Sequence, residues 1–209
     1  MTFLIPQKSK ILIFFPFLIF LLLETPVIPA HPDKEDLLEK TMIELGYGRY
    51  EISDPRYKEV YRGGREIYTL EVLQLLKALN HHHLGLSLGV KHFTKKGNTS
   101  VTQENTQLTL IPVSLGARYL LKIKQFLPWI ELGMDYYNYK ESAATRATEG
   151  WAFGYHVAGG CYIEMPKVKF IKLKIFAKHT KAMAKEDEIQ VNLGGFEYSI
   201  GLAFGFNLY

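Results

Sequence analysis

At 209 residues the chain has room for one modest domain. Nearly half of it is hydrophobic and the net charge is only +4, an average that hides alternation between apolar and polar positions; no nucleic-acid partner and no cofactor is expected. Cys161 is the one cysteine, which excludes an internal disulfide; on apolar parity in mid-strand it reads as a small hydrophobe.

The N-terminus carries a targeting pattern. Lys8 and Lys10 precede an apolar run, Ile11 to Leu23, of secretory signal-peptide length and short for a membrane-crossing helix. Pro16 interrupts it, against an uncleaved anchor helix. Residues 1–30 are read as a signal peptide ending near Ala30, 31–40 as a polar periplasmic lead, and 41–209 as the barrel domain. With no cysteine directly after the leader, no lipid-anchored N-terminus is expected.

From Thr41 on, the pattern has a period of two, which places successive side chains on opposite faces of extended strands. The first strand, about Thr41–Ile52, sets Ile43, Leu45 and Tyr47 against Glu44, Gly46 and Gly48. The long connection Ser53–Gly64 carries turn chemistry in Asp54-Pro55 and Gly63-Gly64,; Tyr57, Val60 and Tyr61 have the spacing of one helical turn closing over the barrel mouth. The second strand, about Arg65–Leu76, points Tyr68, Leu70 and Val72 outward and Glu71 inward, and a short turn follows at Lys77–Asn80. The third runs to about Phe93, with Leu84, Leu86, Leu88 and Val90 outward and Gly85, Ser87, Gly89 and Lys91 inward, before a long polar loop, Thr94–Thr106. The fourth, about Gln107–Leu121, changes parity at Pro112, read as a bulge because proline cannot donate to the ladder; beyond it Arg118 faces inward.

After a short turn at Lys122–Leu127, the fifth strand starts at Pro128 and sets Ile130, Leu132, Met134 and Tyr136 against Glu131, Gly133, Asp135 and Tyr137. A polar loop, Glu141–Gly150, leads to the sixth, with Trp151, Phe153, Tyr155 and Val157 outward and His156, Tyr162 and Glu164 inward. A turn near Pro166 leads to the seventh, where Ile171, Leu173 and Ile175 oppose Lys172, Lys174 and Lys178, and a charged loop, Lys181–Asn192, follows. The last stretch, Gly194–Tyr209, alternates most cleanly: Phe196, Tyr198, Ile200, Leu202, Phe204, Phe206 and Leu208 against small or polar residues. The pattern predicts an all-β fold, an eight-stranded antiparallel up-and-down transmembrane β-barrel preceded by a signal peptide. Long and short connections alternate, as in barrels of the bacterial outer membrane, with short turns and both termini periplasmic.

Several stretches carry a resemblance: Glu44-Leu45-Gly46-Tyr47-Gly48, the Asp54…Tyr57…Tyr61…Gly63-Gly64 connection, the run from Ile111 to Tyr119, Pro128 to Gly133, Gly154 to Gly160, and Asn192 to Phe196. In this order the chain resembles the small bacterial outer-membrane β-barrel domain family, with the architecture of the OmpA, OmpX and OmpW barrels, over about Thr41 to Tyr209. The terminus resembles the sorting signal read by barrel-assembly machinery, in Ser199, Gly201, Phe204 and Phe206; it departs from that signal in that Leu208, not an aromatic, holds the last lipid-facing position. The resemblance implies fold and location, and these families share the scaffold across many roles.

The inward parity collects Glu44, Glu71, Glu131, Asp135, Glu164 and Glu197 with Lys91, Arg118, Lys172, Lys174 and Lys178, and His156 among them. Isolated charge in a narrow interior is costly, so these groups are expected to pair, the seventh strand's lysines meeting Glu164 on one side and Glu197 on the other. Eight strands leave an interior that side chains fill, so a plugged, salt-bridged lumen without an open pore is expected. His81-His82-His83 invites a metal reading but brings no carboxylate close in sequence, and no metal is assigned. His179-Thr180-Lys181 invites comparison with lipid A deacylases, whose His-x-Ser-Asn stretch supplies base and nucleophile; Lys181 holds the serine position here, so no catalytic residue is assigned. Asn98-Thr99-Ser100 reads as a polar loop and Lys185 to Glu188 as a solvated tip.

The expected protein is a non-enzymatic outer-membrane barrel with an envelope-structural, surface-interaction or small-ligand role, a monomer whose partners are outer-membrane lipid and the assembly machinery. The alternatives are an outer-membrane lipid-modifying enzyme and a soluble, lipid-binding barrel of lipocalin type, which would invert the two faces.

Overall fold

The computed structural model describes residues 39–207 except 80, 99–103, 144–146, 167 and 187–188. The signal peptide, most of the polar lead, Leu208 and Tyr209 lie outside the described residues. In chain order the elements are β1 (Thr41–Ile52), α1 (Pro55–Tyr61), β2 (Arg65–Leu79), β3 (His82–Asn98), β4 (Asn105–Leu121), β5 (Phe126–Ala143), β6 (Ala147–Met165), β7 (Val168–Glu186), β8 (Ile189–Asn192) and β9 (Gly195–Phe206). Each strand pairs antiparallel with the next from β1 to β7, β7 pairs with β9, and β9 pairs back with β1. The ring closes with eight staves, β8 extending the hairpin that β7 makes with the last stave. Closure leaves none of the eight staves as an edge strand; among the described residues β8 pairs with β7 alone.

Alternation holds around the ring. On β9, Phe196, Tyr198 and Ile200 are exposed while Glu197, Ser199 and Ala203 are buried. On β5, Ile130, Leu132 and Met134 are each more than 60% exposed, and on β6 so is Phe153. Large apolar side chains therefore face outward and charged ones inward, the reverse of a soluble lipid-carrying barrel. Toward the α1 end the outer face carries an aromatic girdle: the Tyr47 and Tyr68 rings lie 5.4 Å apart, and Phe153 packs edge-on against both Tyr136 and Trp151.

The strands are longer than their sequence reading, and the loops shorter. β3 continues to Asn98 and β4 begins at Asn105; β5 reaches Ala143 and β6 begins at Ala147; β7 runs on to Glu186, with Lys185 on the strand. β2 extends to Leu79, with its irregularity between Leu75 and Lys77. At 17–19 residues, β3 to β7 exceed the roughly 9–11 residues that cross a bilayer, and their polar outer segments carry the hairpins past the girdle.

Pro112 makes no bulge. The β3–β4 pairing has the same register at Val90↔Val113 and Phe93↔Leu110, passing over the proline without a shift. Inward parity is continuous through Leu108, Leu110, Pro112, Ser114 and Arg118. The apparent change of phase arises because the interior itself changes chemistry along the axis, from apolar near the α1 end to charged at mid-height.

α1 follows from local chemistry. Asp54 is the N-cap and accepts from the Arg56 N–H at 3.0 Å, Pro55 supplies the first helical φ, and the Arg62 N–H closes on the Lys58 carbonyl before Gly63 turns the chain at φ +68°,. Its docking is specific. Asp54 also accepts from the Asn192 N–H at 3.0 Å, and Tyr61 is buried with its hydroxyl donating to Glu141 at 2.5 Å. Burial raises the Asp54 carboxyl, but the N–H donors of Asn192 and Arg56 and the Arg56 guanidinium outweigh it and hold the group below the ordinary range,. Burial, reinforced by Glu141, pushes the Tyr61 hydroxyl up.

Candidate functional site: a charged lumen between two apolar plugs

Three layers fill the barrel along its axis. Near α1, Tyr50, Ile67, Phe93, Leu110, Tyr137 and Tyr139 form part of a buried cluster against which Tyr57 and Val60 of α1 pack. The Tyr50 hydroxyl donates to the Leu193 carbonyl at 2.6 Å, tying the cluster to the break between β8 and β9. At the opposite end Met42, Leu73, Leu120, Leu127 and Trp129 belong to a second buried cluster. The charges lie between the two.

Arg118 on β4, 1% exposed, is the hub. Its guanidinium reaches Glu44 on β1 at 3.0 Å, Glu71 on β2, and Glu131 on β5 through Nε at 2.7 Å. Three carboxylates from three strands thus share one planar cation, whose several donors suit such convergence. Its guanidinium carbon lies over the Trp129 ring, 4.1 Å from the centroid,. Lys174 on β7 joins Glu44 and, at 3.1 Å, Glu71. The Tyr162 hydroxyl donates to Glu44 at 2.6 Å, and Ser87 donates to Glu131 at 2.7 Å.

Glu131 links the hub to a second group. His156 on β6 places Nε2 3.0 Å from Glu131 and Nδ1 2.8 Å from Asp135. Lys178 meets Asp135 at 2.7 Å and the Ser114 hydroxyl at 3.1 Å. A third group pairs Lys91 with Glu197 at 2.5 Å, and Ser199 donates to the same carboxylate at 3.1 Å. Five buried carboxylates (Glu44, Glu71, Glu131, Asp135 and Glu197) thus face four basic side chains (Lys91, Arg118, Lys174 and Lys178). The charge closes at neutrality with a protonated His156, and only the imidazolium has a donor for each of its two carboxylates. Glycine makes the room: a Cβ at Gly133 would lie 2.5 Å from the His156 ring, and one at Gly116 would lie 2.7 Å from the Glu131 carboxyl carbon.

Two residues of the sequence-derived set stand apart from this network. Lys172 is buried lower in the barrel and pairs at 2.5 Å with Glu39, in the lead segment. Glu164 lies at the rim, 22% exposed, with Lys122 4.0 Å away. Glu164 stands opposite Lys172 of β7 in the ladder, the last pair before β6 and β7 lose register between Glu164 and Met165, so its place beside a β7 lysine is at the barrel's end and not in the central network. The sequence reading did not place Tyr162, Ser87, Ser114 and Trp129 in the network that they complete. Their inward parity was the available signal; their role depends on axial level, which parity does not give.

The remaining candidates are dispersed. His82 is exposed and lies 2.5 Å from the Tyr119 hydroxyl through Nδ1, while His83 points inward. Among the described residues no group of three or more His, Cys, Asp or Glu side chains is arranged to hold a metal ion. His179 faces outward, with its ring tilted at 50° against Phe196 and the centroids 4.5 Å apart, and Thr180 faces inward. Of the terminal-signal residues, Ser199 bonds to Glu197, Gly201 lets β9 pass the Leu45 carbonyl, and Phe204 and Phe206 are half-buried on the outer face.

No family model and no curated protein sequence matches this chain. Among solved structures it is similar to the outer membrane protein OprG from Pseudomonas aeruginosa, with a TM-score of 0.59 and 12% identity over 84% of this chain and 100% of that one. Ail, the attachment invasion locus protein of Yersinia pestis, in complex with the heparin analogue sucrose octasulfate, aligns with a TM-score of 0.49 at 14% identity, over 80% of this chain and 100% of that one. Neisserial surface protein A aligns with a TM-score of 0.47 at 13% identity, over 79% of this chain and 96% of that one. The fold is that of the small eight-stranded outer-membrane barrels.

Proposed function

We propose that the protein is a closed, non-enzymatic barrel of the bacterial outer membrane that acts through its surfaces and conducts no solute through its lumen. The observation that carries this reading is the filled interior: a hydrogen-bonded ion network at mid-height with an apolar cluster above and below it. A route for solute would require breaking several buried ion pairs at once, each costing about 3–5 kcal/mol. The outward apolar belt, which would be untenable in water at this extent, supports a lipid environment. With short turns at the chain-terminal end, both termini are assigned to the periplasm and α1 to the outside. The barrel is assigned as a monomer, inserted by the assembly machinery through its last strand.

Envelope fractionation tests this placement. The protein should be recovered with the outer membrane, need detergent for extraction, and run faster on a gel unboiled than boiled. Recovery in the aqueous periplasmic fraction would refute it.

A further inference from the structure

The outer wall is not uniformly covered. A groove of about 810 Å³ crosses β6, β7, β9, β1 and β2, within the roughly 300–1,000 Å³ range of small-molecule sites. Its floor is Gly159 on β6 and Ala177 on β7, which lie opposite one another. Ala177 lies opposite Tyr198 and Tyr198 opposite Arg49, so one row runs from the bare floor to a cation. At about 4.8 Å per strand the row is about 14 Å long. Ile175 and Ile200 wall the groove on the side away from α1.

Gly159 is not required by packing. A Cβ there would meet only the Trp129 carbonyl, at 3.6 Å, an ordinary contact. The missing side chain leaves space outside the barrel, in contrast to Gly116 and Gly133, which leave space inside.

In a bilayer an apolar groove alone selects nothing, because every outward position meets acyl chains. Selection must come from the headgroup. Along β1 the outward positions run Ile43, Leu45, Tyr47, Arg49, so Arg49 stands one step past the apolar belt, at the level of lipid phosphates. The ion pairs beside it, Lys58 with Glu51 and Arg65 with Glu66, do not include it. Its guanidinium passes close to Gly64, where a Cβ would come within 2.7 Å of Nε. Arg65 and Glu66 line the same end of the groove and neutralise each other at 2.7 Å, which leaves Arg49 as the cation open to a ligand there. A planar arginine fork matches phosphate oxygens bidentately.

We propose that this groove holds one phosphorylated acyl lipid of the leaflet on the α1 side, with its phosphate on Arg49 and an acyl chain against Gly159 and Ala177. The proposal rests on the membrane placement above. Native mass spectrometry of the detergent-solubilised barrel tests it, with phosphatidic acid and phosphatidylcholine of identical chains as probes. The wild type should retain one phosphatidic acid with roughly tenfold preference over phosphatidylcholine, as expected for one charge-assisted contact. Gly159→Phe and, independently, Ala177→Leu should fill the groove and cut retention of both lipids. Arg49→Gln should bring phosphatidic acid down to the phosphatidylcholine level.

Equal retention of the two lipids by wild type, full retention of phosphatidic acid by a folded Gly159→Phe or Ala177→Leu, or a dimer in place of a lipid adduct would overturn the groove assignment. A wild type that forms no heat-modifiable barrel in lipid vesicles would defeat the membrane placement itself, a separate failure.

Discussion

Lys174 offers the sharpest perturbation of the lumen. It is 2% exposed and pairs with both Glu44 and Glu71, and its ammonium lies 4.5 Å from the Phe176 ring centroid. Lys174→Ala would leave two buried carboxylates sharing Arg118, which already serves Glu131. Removing one partner of a buried pair costs about 3–5 kcal/mol. Arg118 remains to screen both acids, which places the expected loss at the low end, about 3 kcal/mol. Urea unfolding in lipid vesicles, followed by loss of the fast-migrating unboiled band, reads this as a lower midpoint at an unchanged slope.

Adding Glu71→Gln to Lys174→Ala removes one excess charge and should recover roughly half of that loss, a coupling visible in a double-mutant cycle. A loss below about 1 kcal/mol, the range of exposed ion pairs, would refute the reasoning, because it would mean that water reaches these carboxylates. So would equal costs for the single and double variants, because charge balance would then not be the controlling quantity.

Other expectations follow from particular residues. Replacing Phe204 and Phe206 with Ser alters only outward, half-buried positions of β9, so reduced outer-membrane yield with periplasmic degradation is expected; unchanged yield would place the insertion signal elsewhere. Both ring nitrogens of His156 should carry protons at neutral pH in ¹⁵N spectra of the folded barrel, since each faces a carboxylate; a neutral ring would contradict the charge count. The Asp54 carboxyl is held low on folding, so its contribution to docking α1 is full above the unfolded value of about 3.9 and is lost as pH falls through the depressed folded value. The Asn192 amide proton, which Asp54 accepts, should report that titration; a midpoint at or above the unfolded value would contradict it.

Strand number, closure and the direction of every charged side chain in the central network were legible in the sequence, because a period of two is a direct consequence of strand geometry. The partner of each charge was not. Arg118 and Glu44 lie on β4 and β1, across the lumen from one another, and their meeting depends on strand stagger and tilt, quantities that local alternation does not contain. Lys172 finds Glu39 in a segment read only as a polar lead. The apolar plugs were misread for a related reason. Leu108 and Leu110 keep inward parity, but an apolar residue inside a barrel assumed to be polar throughout looks like a phase change, and Pro112 offered a ready explanation for one. Loop boundaries were set too early because polar outward residues beyond the girdle, such as Lys96 and Lys185, continue the ladder on strands that have left the apolar belt.

The central claim is that the lumen is sealed by its own side chains. Planar bilayer recording of the purified, refolded protein tests it most directly. The filled interior calls for no stable conductance from wild type, and for none from Lys174→Ala, because the apolar clusters above and below the ion network remain. Steady, porin-like current steps from the wild type would contradict it.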